Sequence, residues 1–148
     1  MGIESEFRAK RAAGRKLLVP YITGGYPGWQ DAIRACAANG ADAVEIGIPF
    51  SDPVMDGPVI QQASQYSLEQ GVTPTSILDE VPALDVEIPL AVMTYYNLVH
   101  HPGPTRFAAL LQRAGISAAI LPDLPWEAAG PGCAAADEAG LETIMLAA

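Results

Sequence analysis

An acid in the middle of an apolar run calls for a chemical explanation. Glu45 stands in Val44-Glu45-Ile46-Gly47-Ile48, and Asp56 follows in the loop Ser51-Asp52-Pro53-Val54-Met55-Asp56-Gly57-Pro58. A carboxylate inside a buried strand costs free energy unless it is paired or used. The chain holds 8 Lys and Arg against 17 Asp and Glu, so a cation to pair with Glu45 is scarce. Two carboxylates converging on one strand-end mouth can divide acid and base work. Taken alone, Asp52 and Asp56 read as turn formers, because Asp-Pro and Asp-Gly are ordinary turn dipeptides. On the same strand–loop unit as Glu45, Asp56 becomes the candidate second acid. Asp52 reads as structural or interfacial.

Other chemistry-bearing residues carry less. Thr23-Gly24-Gly25-Tyr26-Pro27 lacks the Gly-Lys-Ser/Thr of a phosphate loop and the spacing of a dinucleotide fingerprint, so it reads as a tight strand-to-helix turn. His100 and His101 have no Asp, Glu or Cys at ligand spacing, and no metal site is expected. Tyr95 and Tyr96 close the third apolar run; one should point into the strand-end mouth and the other outward. Asp123, in Leu121-Pro122-Asp123-Leu124-Pro125, follows the fourth run at the same functional end. Cys36 and Cys133 sit in Ala-rich helical patterns and read as small buried residues of a reducing cytoplasm. A formal charge of −9 without a basic run argues against nucleic acid as a partner. No apolar run reaches membrane-spanning length, and Met1–Lys16 lacks the apolar core of a secretory signal, so a cytoplasmic location is expected.

The elements that must position these residues are short apolar runs at Leu17–Thr23, Ala43–Ile48, Leu90–Thr94, Ala118–Leu121 and Thr143–Leu146. None alternates with polar residues, as expected of strands covered on both faces. Between them Ile33, Cys36 and Ala37 share one helical face. So do Ile77, Leu78, Val81 and Leu84, and so do Phe107, Leu110, Leu111 and Ala114. Gly40, Gly115 and Gly140 each stand where a helix ends in a left-handed residue shortly before a strand. Gly57–Gln70 reads as an extra helical piece between the second strand and its main helix.

Strand, loop, helix, glycine, strand is the βα repeat, so the fold class is α/β with a parallel sheet, and residues 1–148 form one domain. The longer loops follow strands, which places function at the strands' C-terminal ends. Five strands suffice for a doubly wound sheet, whereas a closed (β/α)8 barrel needs eight. With five, a strand edge and apolar helix faces stay uncovered, so the chain reads as part of something larger.

The motifs resemble one family. Leu18-Val19-Pro20-Tyr21-Ile22-Thr23-Gly24-Gly25-Tyr26-Pro27, Glu45 to Gln61, Met93-Thr94-Tyr95-Tyr96-Asn97 and Leu121-Pro122-Asp123-Leu124-Pro125 are similar, in order and spacing, to the alpha subunit of tryptophan synthase. The resemblance implies a (β/α)8 TIM barrel, of which this chain carries about the first five strands. It implies retro-aldol cleavage of indole-3-glycerol phosphate to indole and glyceraldehyde 3-phosphate, without metal or organic cofactor. Indole would pass to a beta subunit that holds PLP, within a heterotetramer. Glu45 would be the general acid–base and Asp56 the carboxylate that accepts from the indole N–H. Tyr21, Met93, Tyr95, Ile120 and Leu146 would wall the substrate pocket. Pro49, Asp52, Pro53 and Asn97 would face the beta subunit. The family is nearly twice this length, so the later strands, the closing loop and the phosphate-binding loops are missing from this sequence. The 148-residue polypeptide alone is therefore expected to have little or no lyase activity. Two other readings stay open at this point: a shortened alpha-like chain that modulates a beta subunit without turnover, and another phosphate-binding barrel with a different substrate.

Overall fold

A computed structural model describes residues 2–146. Each expected apolar run yields a strand: β1 Tyr21–Thr23, β2 Val44–Gly47, β3 Leu90–Met93, β4 Ala118–Ile120 and β5 Glu142–Ile144. All pair in parallel in the order β1-β2-β3-β4-β5. Helix α1, Ile3–Ala12, precedes the sheet, and α2, Trp29–Ala38, joins β1 to β2. The inserted piece is α3, Pro58–Glu69, followed by α4, Pro74–Glu80. Then come α5, Tyr96–His100, α6, Pro104–Arg113, and α7, Gly130–Glu138. Gly40, Gly115 and Gly140 end α2, α6 and α7 with φ of 89°, 77° and 70°, the left-handed backbone that their spacing predicts.

The strand order decides between the two architectures. A doubly wound sheet reverses direction at a switch point, whereas a barrel wall adds each strand beside the last. Here every strand lies next to its chain neighbour, as in a barrel wall. The register sets Tyr21, Glu45, Ala91, Ala118 and Glu142 on one level, with Thr23, Gly47, Met93, Ile120 and Ile144 on the next. The alternate residues Val44, Ile46, Leu90 and Val92 pack with Trp29, Ile33, Ile77, Leu84, Phe107 and Leu111 of the helical layer. Each such side chain, fully buried, stabilises the fold by about 1.5–3 kcal/mol.

The other face of the sheet is closed at its N-terminal end by α1. Ile3 packs on Ala91 and Ala118, with Phe7 and Ile120 beside them, and the two alanines leave room for the helix. Glu142 at the start of β5 accepts a hydrogen bond from the Glu4 N–H at 2.9 Å, which places a carboxylate at the positive end of α1. Asp42, buried just before β2, accepts from the Leu18 N–H at 2.8 Å and pairs with Lys10 Nζ at 3.0 Å and Arg15 Nη2 at 3.3 Å. The Leu18 N–H, then Lys10, hold its carboxyl below the ordinary range. It ties α1, the approach to β1 and the root of β2 together.

All five strands are shorter than their apolar runs, and three boundaries differ most from expectation. The first strand is only Tyr21–Thr23, and Leu18 and Val19 are exposed. Among the described residues β1 has a neighbour only on its β2 side, so nothing covers its beginning. The fifth strand is Glu142–Ile144 and not Thr143–Leu146, because its pairing with β4 covers only Ala118–Ile120. Tyr96 does not close β3 but opens α5. Among the described residues, no helix is long and apolar enough to cross a membrane.

Candidate active site

β2 supplies Glu45 and the loop after it supplies Asp56. Glu45 is half-buried on the level shared with Tyr21 and Ala91. One strand pair further up, Gly47 stands opposite Thr23. A Cβ on Gly47 would overlap Tyr21 Oη and Cζ and lie 2.7 Å from Tyr21 Cε2. The missing side chain is therefore what lets the Tyr21 ring lie across β2 beside Glu45.

Asp56 is held from several sides. Its N–H donates to the Pro53 carbonyl at 3.0 Å, and Gln61 Nε2 donates to the Asp56 carbonyl at 2.8 Å. Tyr95 Oη donates to Asp56 Oδ2 at 3.1 Å and accepts from the Met55 N–H at 3.0 Å. The Tyr95 ring is 1% exposed and stacks on Phe50, with ring centroids 5.2 Å apart and planes 25° apart. Of the two adjacent tyrosines, Tyr95 thus turns inward. Tyr96 packs beside His100, and its N–H donates to Asp123 Oδ1 at 2.9 Å.

The electrostatics of the cluster follow from burial and like charge. Burial, then the neighbouring Asp56, push the Glu45 carboxyl up. Burial also raises Asp56, while the Tyr95 hydrogen bond opposes that by favouring the ionised form. The Tyr21 phenol is pushed up to about 12, chiefly by burial, and Tyr95 is raised for the same reason. Among the described residues the ion pairs involve Arg8, Lys10, Arg15 and Arg34, none of them with Glu45. Glu45 is therefore no structural salt-bridge residue within this part of the fold. Burial and mutual repulsion both act against ionising the two carboxyls together, the condition under which one acts as acid and the other as acceptor.

The remaining candidates divide. Met93 and Ile120 end β3 and β4 on the level above Glu45, beside Gly47. Leu146, two residues past β5, is 56% exposed and meets no opposing wall among the described residues. Asp52 and Asn97 are exposed and Pro53 is half-buried, whereas Pro49 is buried beneath the loop. Asp52 accepts from the Ser51 hydroxyl at 2.7 Å, which is local turn chemistry. A groove of about 560 Å³ lies between α1 and β5, lined by Ile3, Phe7, Arg11, Leu17 and Ile144, and neither Glu45 nor Asp56 lines it. Sequence reasoning missed Gly47 and Phe50, whose roles arise from contacts with residues far away in the chain. Among the described residues no group of three His, Cys, Asp or Glu side chains converges to hold a metal ion, and Cys36 and Cys133 are free thiols, half-buried where burial was expected.

This geometry has close relatives. The family model described as "Tryptophan synthase alpha chain" matches residues 7–148. The tryptophan synthase alpha chain of Haloferax volcanii is 43% identical, across 88% of this chain and 50% of that protein. That of Halorhodospira halophila is also 43% identical, across 97% of this chain and 54% of the relative. Among solved structures, tryptophan synthase subunit alpha from Legionella pneumophila superposes with a TM-score of 0.88 at 35% identity, covering 97% of this chain and 57% of the other. Tryptophan synthase from M. tuberculosis gives 0.91 at 36% identity, covering 98% and 60%. The chain thus spans about half the length of the curated relatives it matches. Matched over nearly all of its residues in sequence and in fold, it belongs to the tryptophan synthase alpha chain family.

Proposed function

We propose that this chain supplies the acid–base half of a site that cleaves indole-3-glycerol phosphate to indole and glyceraldehyde 3-phosphate. The observation that carries this reading is one βα unit presenting two half-buried carboxyls, Glu45 on the level of Tyr21 in β1 and Asp56 bonded to Tyr95 just past β3. In this reading Glu45 delivers a proton to C3 of the indole and removes one from the glycerol hydroxyl. The C–C bond then breaks, its electron pair returning to the ring as the hydroxyl becomes the aldehyde. Asp56 accepts from the indole N–H and stabilises the positive charge that builds there before cleavage. Tyr21, Met93, Tyr95 and Ile120 wall the ring on its near side, and Leu146 joins them from two residues past β5.

The reading needs no cofactor in this chain. Indole passes to a beta subunit, which carries PLP, in a heterotetramer. Asp52, Pro53 and Asn97 face that subunit; Pro49, being buried, supports the loop from below. The substrate phosphate is held by the portion that the longer relatives carry beyond the matched region, and a cytoplasmic location belongs to the same proposal. Backbone N–H groups at a helix N-terminus would supply that anchoring.

The test is Glu45→Gln in an alpha chain carrying this sequence, with indole release followed directly. A fall of about 10²–10⁴-fold is expected. Stimulation of the beta reaction should persist in the same variant, because the docking face is untouched. Unchanged indole release would overturn the assignment. A polypeptide limited to these 148 residues should release no measurable indole, and substantial release would overturn the division of the site.

A further inference from the structure

We propose that Tyr95 is a positioning residue for Asp56, with one hydroxyl fixing both the loop backbone and the carboxylate. The proposal rests on the reading of Asp56 given above. Asp56 sits on a loop whose crest is open to water, with Val54 77% and Met55 53% exposed. The bonds to Pro53 and Gln61 fix the Asp56 backbone, and they leave the two torsions of its side chain unset. Tyr95 has the opposite character: it is buried, stacked on Phe50 and rooted just past β3. Its Oη accepts the Met55 N–H and donates its only proton to Asp56 Oδ2. Both bonds bridge about forty residues of chain and converge on one oxygen atom. With Oδ2 occupied, Oδ1 is left for the substrate's N–H. The rigid wall of the sheet thereby sets the direction of a loop carboxylate.

The charged and titratable groups around Asp56 are Tyr21 from β1, Glu45 from β2 and Tyr95 from the end of β3, with Asp123 past β4 acting on Tyr95. The Tyr95 bond is the influence that favours ionised Asp56 against burial. Its removal should therefore move the acid limb of the kcat/KM profile to higher pH.

The experiment uses Tyr95→Phe in a full-length alpha chain carrying this sequence, which keeps the ring on Phe50 and removes only the hydroxyl. Expected are a loss of about tenfold in kcat with little change in KM, an acid limb displaced upward, and a Tyr95→Phe/Asp56→Asn double variant no slower than Asp56→Asn alone. A fluorinated tyrosine at position 95, nearly the same shape but a stronger donor, should displace the limb downward; this arm stands even if Tyr95→Phe folds poorly. An unmoved acid limb in both variants, with Asp56→Asn inactive, overturns the positioning role and leaves the reading of Asp56 intact. Full activity of Asp56→Asn overturns that reading itself.

Discussion

Replacing Gly47 by Ala puts a methyl group where the Tyr21 ring now lies. The methyl would overlap Oη and Cζ and stand 2.7 Å from Cε2, so the conflict is with the whole outer edge of the ring. The ring has two torsions, and its hydroxyl must withdraw by about 1.5 Å or more to reach ordinary contact. Overpacking of this kind costs about 1–3 kcal/mol. Gly47 does not use a positive φ, so alanine fits its backbone and returns about 0.4–1 kcal/mol by restricting the unfolded chain. The net loss is about 1–2 kcal/mol, a fall of roughly 3–8 °C in Tm for a domain of this size. Activity should suffer more than stability, since displacing a pocket wall by about 1 Å can cost about 10²-fold. Thermal unfolding and indole release from a full-length alpha chain, measured on Gly47→Ala, Tyr21→Ala and the double variant, make the test. The double variant should recover stability relative to the sum of the single changes, by about 0.5–3 kcal/mol of coupling. A Gly47→Ala protein with parental Tm and parental turnover would refute the close approach of Tyr21 to β2.

Three further outcomes are expected. Glu45 is raised in the folded state, so its contribution to stability is present below its unfolded value of 4.5 and is lost as pH rises through the folded value. Glu45→Gln should therefore unfold at higher urea than the parent at pH 7, with the gap closing toward pH 4. Asp42 is lowered, so its contribution is present above 3.8 and is lost as pH falls through the folded value. Asp42→Ala should lower Tm by roughly 5 °C or more at pH 7, measured calorimetrically, and the deficit should shrink in acid. Of the two tryptophans, Trp29 is buried and Trp126 is 72% exposed. Trp126→Phe should shift the emission to the blue and remove most acrylamide quenching; an unchanged spectrum would contradict this placement.

What the sequence reveals and what it hides divide by range. The five strands, the inserted α3 and the helix-ending glycines rest on signals within a few residues, and all are legible in the order of the residues alone. Glu45 and Asp56 are legible for the same reason, since they sit on one βα unit. The Tyr95–Asp56 bond spans 39 residues, and the Gly47–Tyr21 contact lies across a strand pair whose register no local pattern specifies. Asp42 reads as part of a helix-ending turn, yet its partners Lys10, Arg15 and Leu18 converge on it only through the fold. The approach to β1 has the apolar residues of a strand. Whether Leu18 and Val19 are covered depends on what lies beside β1, which periodicity cannot report.

The bond between Glu142 and the first turn of α1 sets an order of assembly. Its two residues are 138 positions apart. Closing a loop of that length in an unstructured chain costs about 4 kcal/mol, from (3/2)RT ln n. The sheet avoids most of that cost, because each strand pairs with the one just before it and the open path between the two sites shortens with every addition. Lys10 pairs with Asp42 at the root of β2 and Ile3 packs on β3 and β4, so α1 has partners before β5 is added, and the bond to Glu142 is the contact that β5 contributes. Changes at Glu142 should accordingly speed unfolding and leave the folding rate nearly untouched, whereas changes at Val44 or Val92 should slow folding.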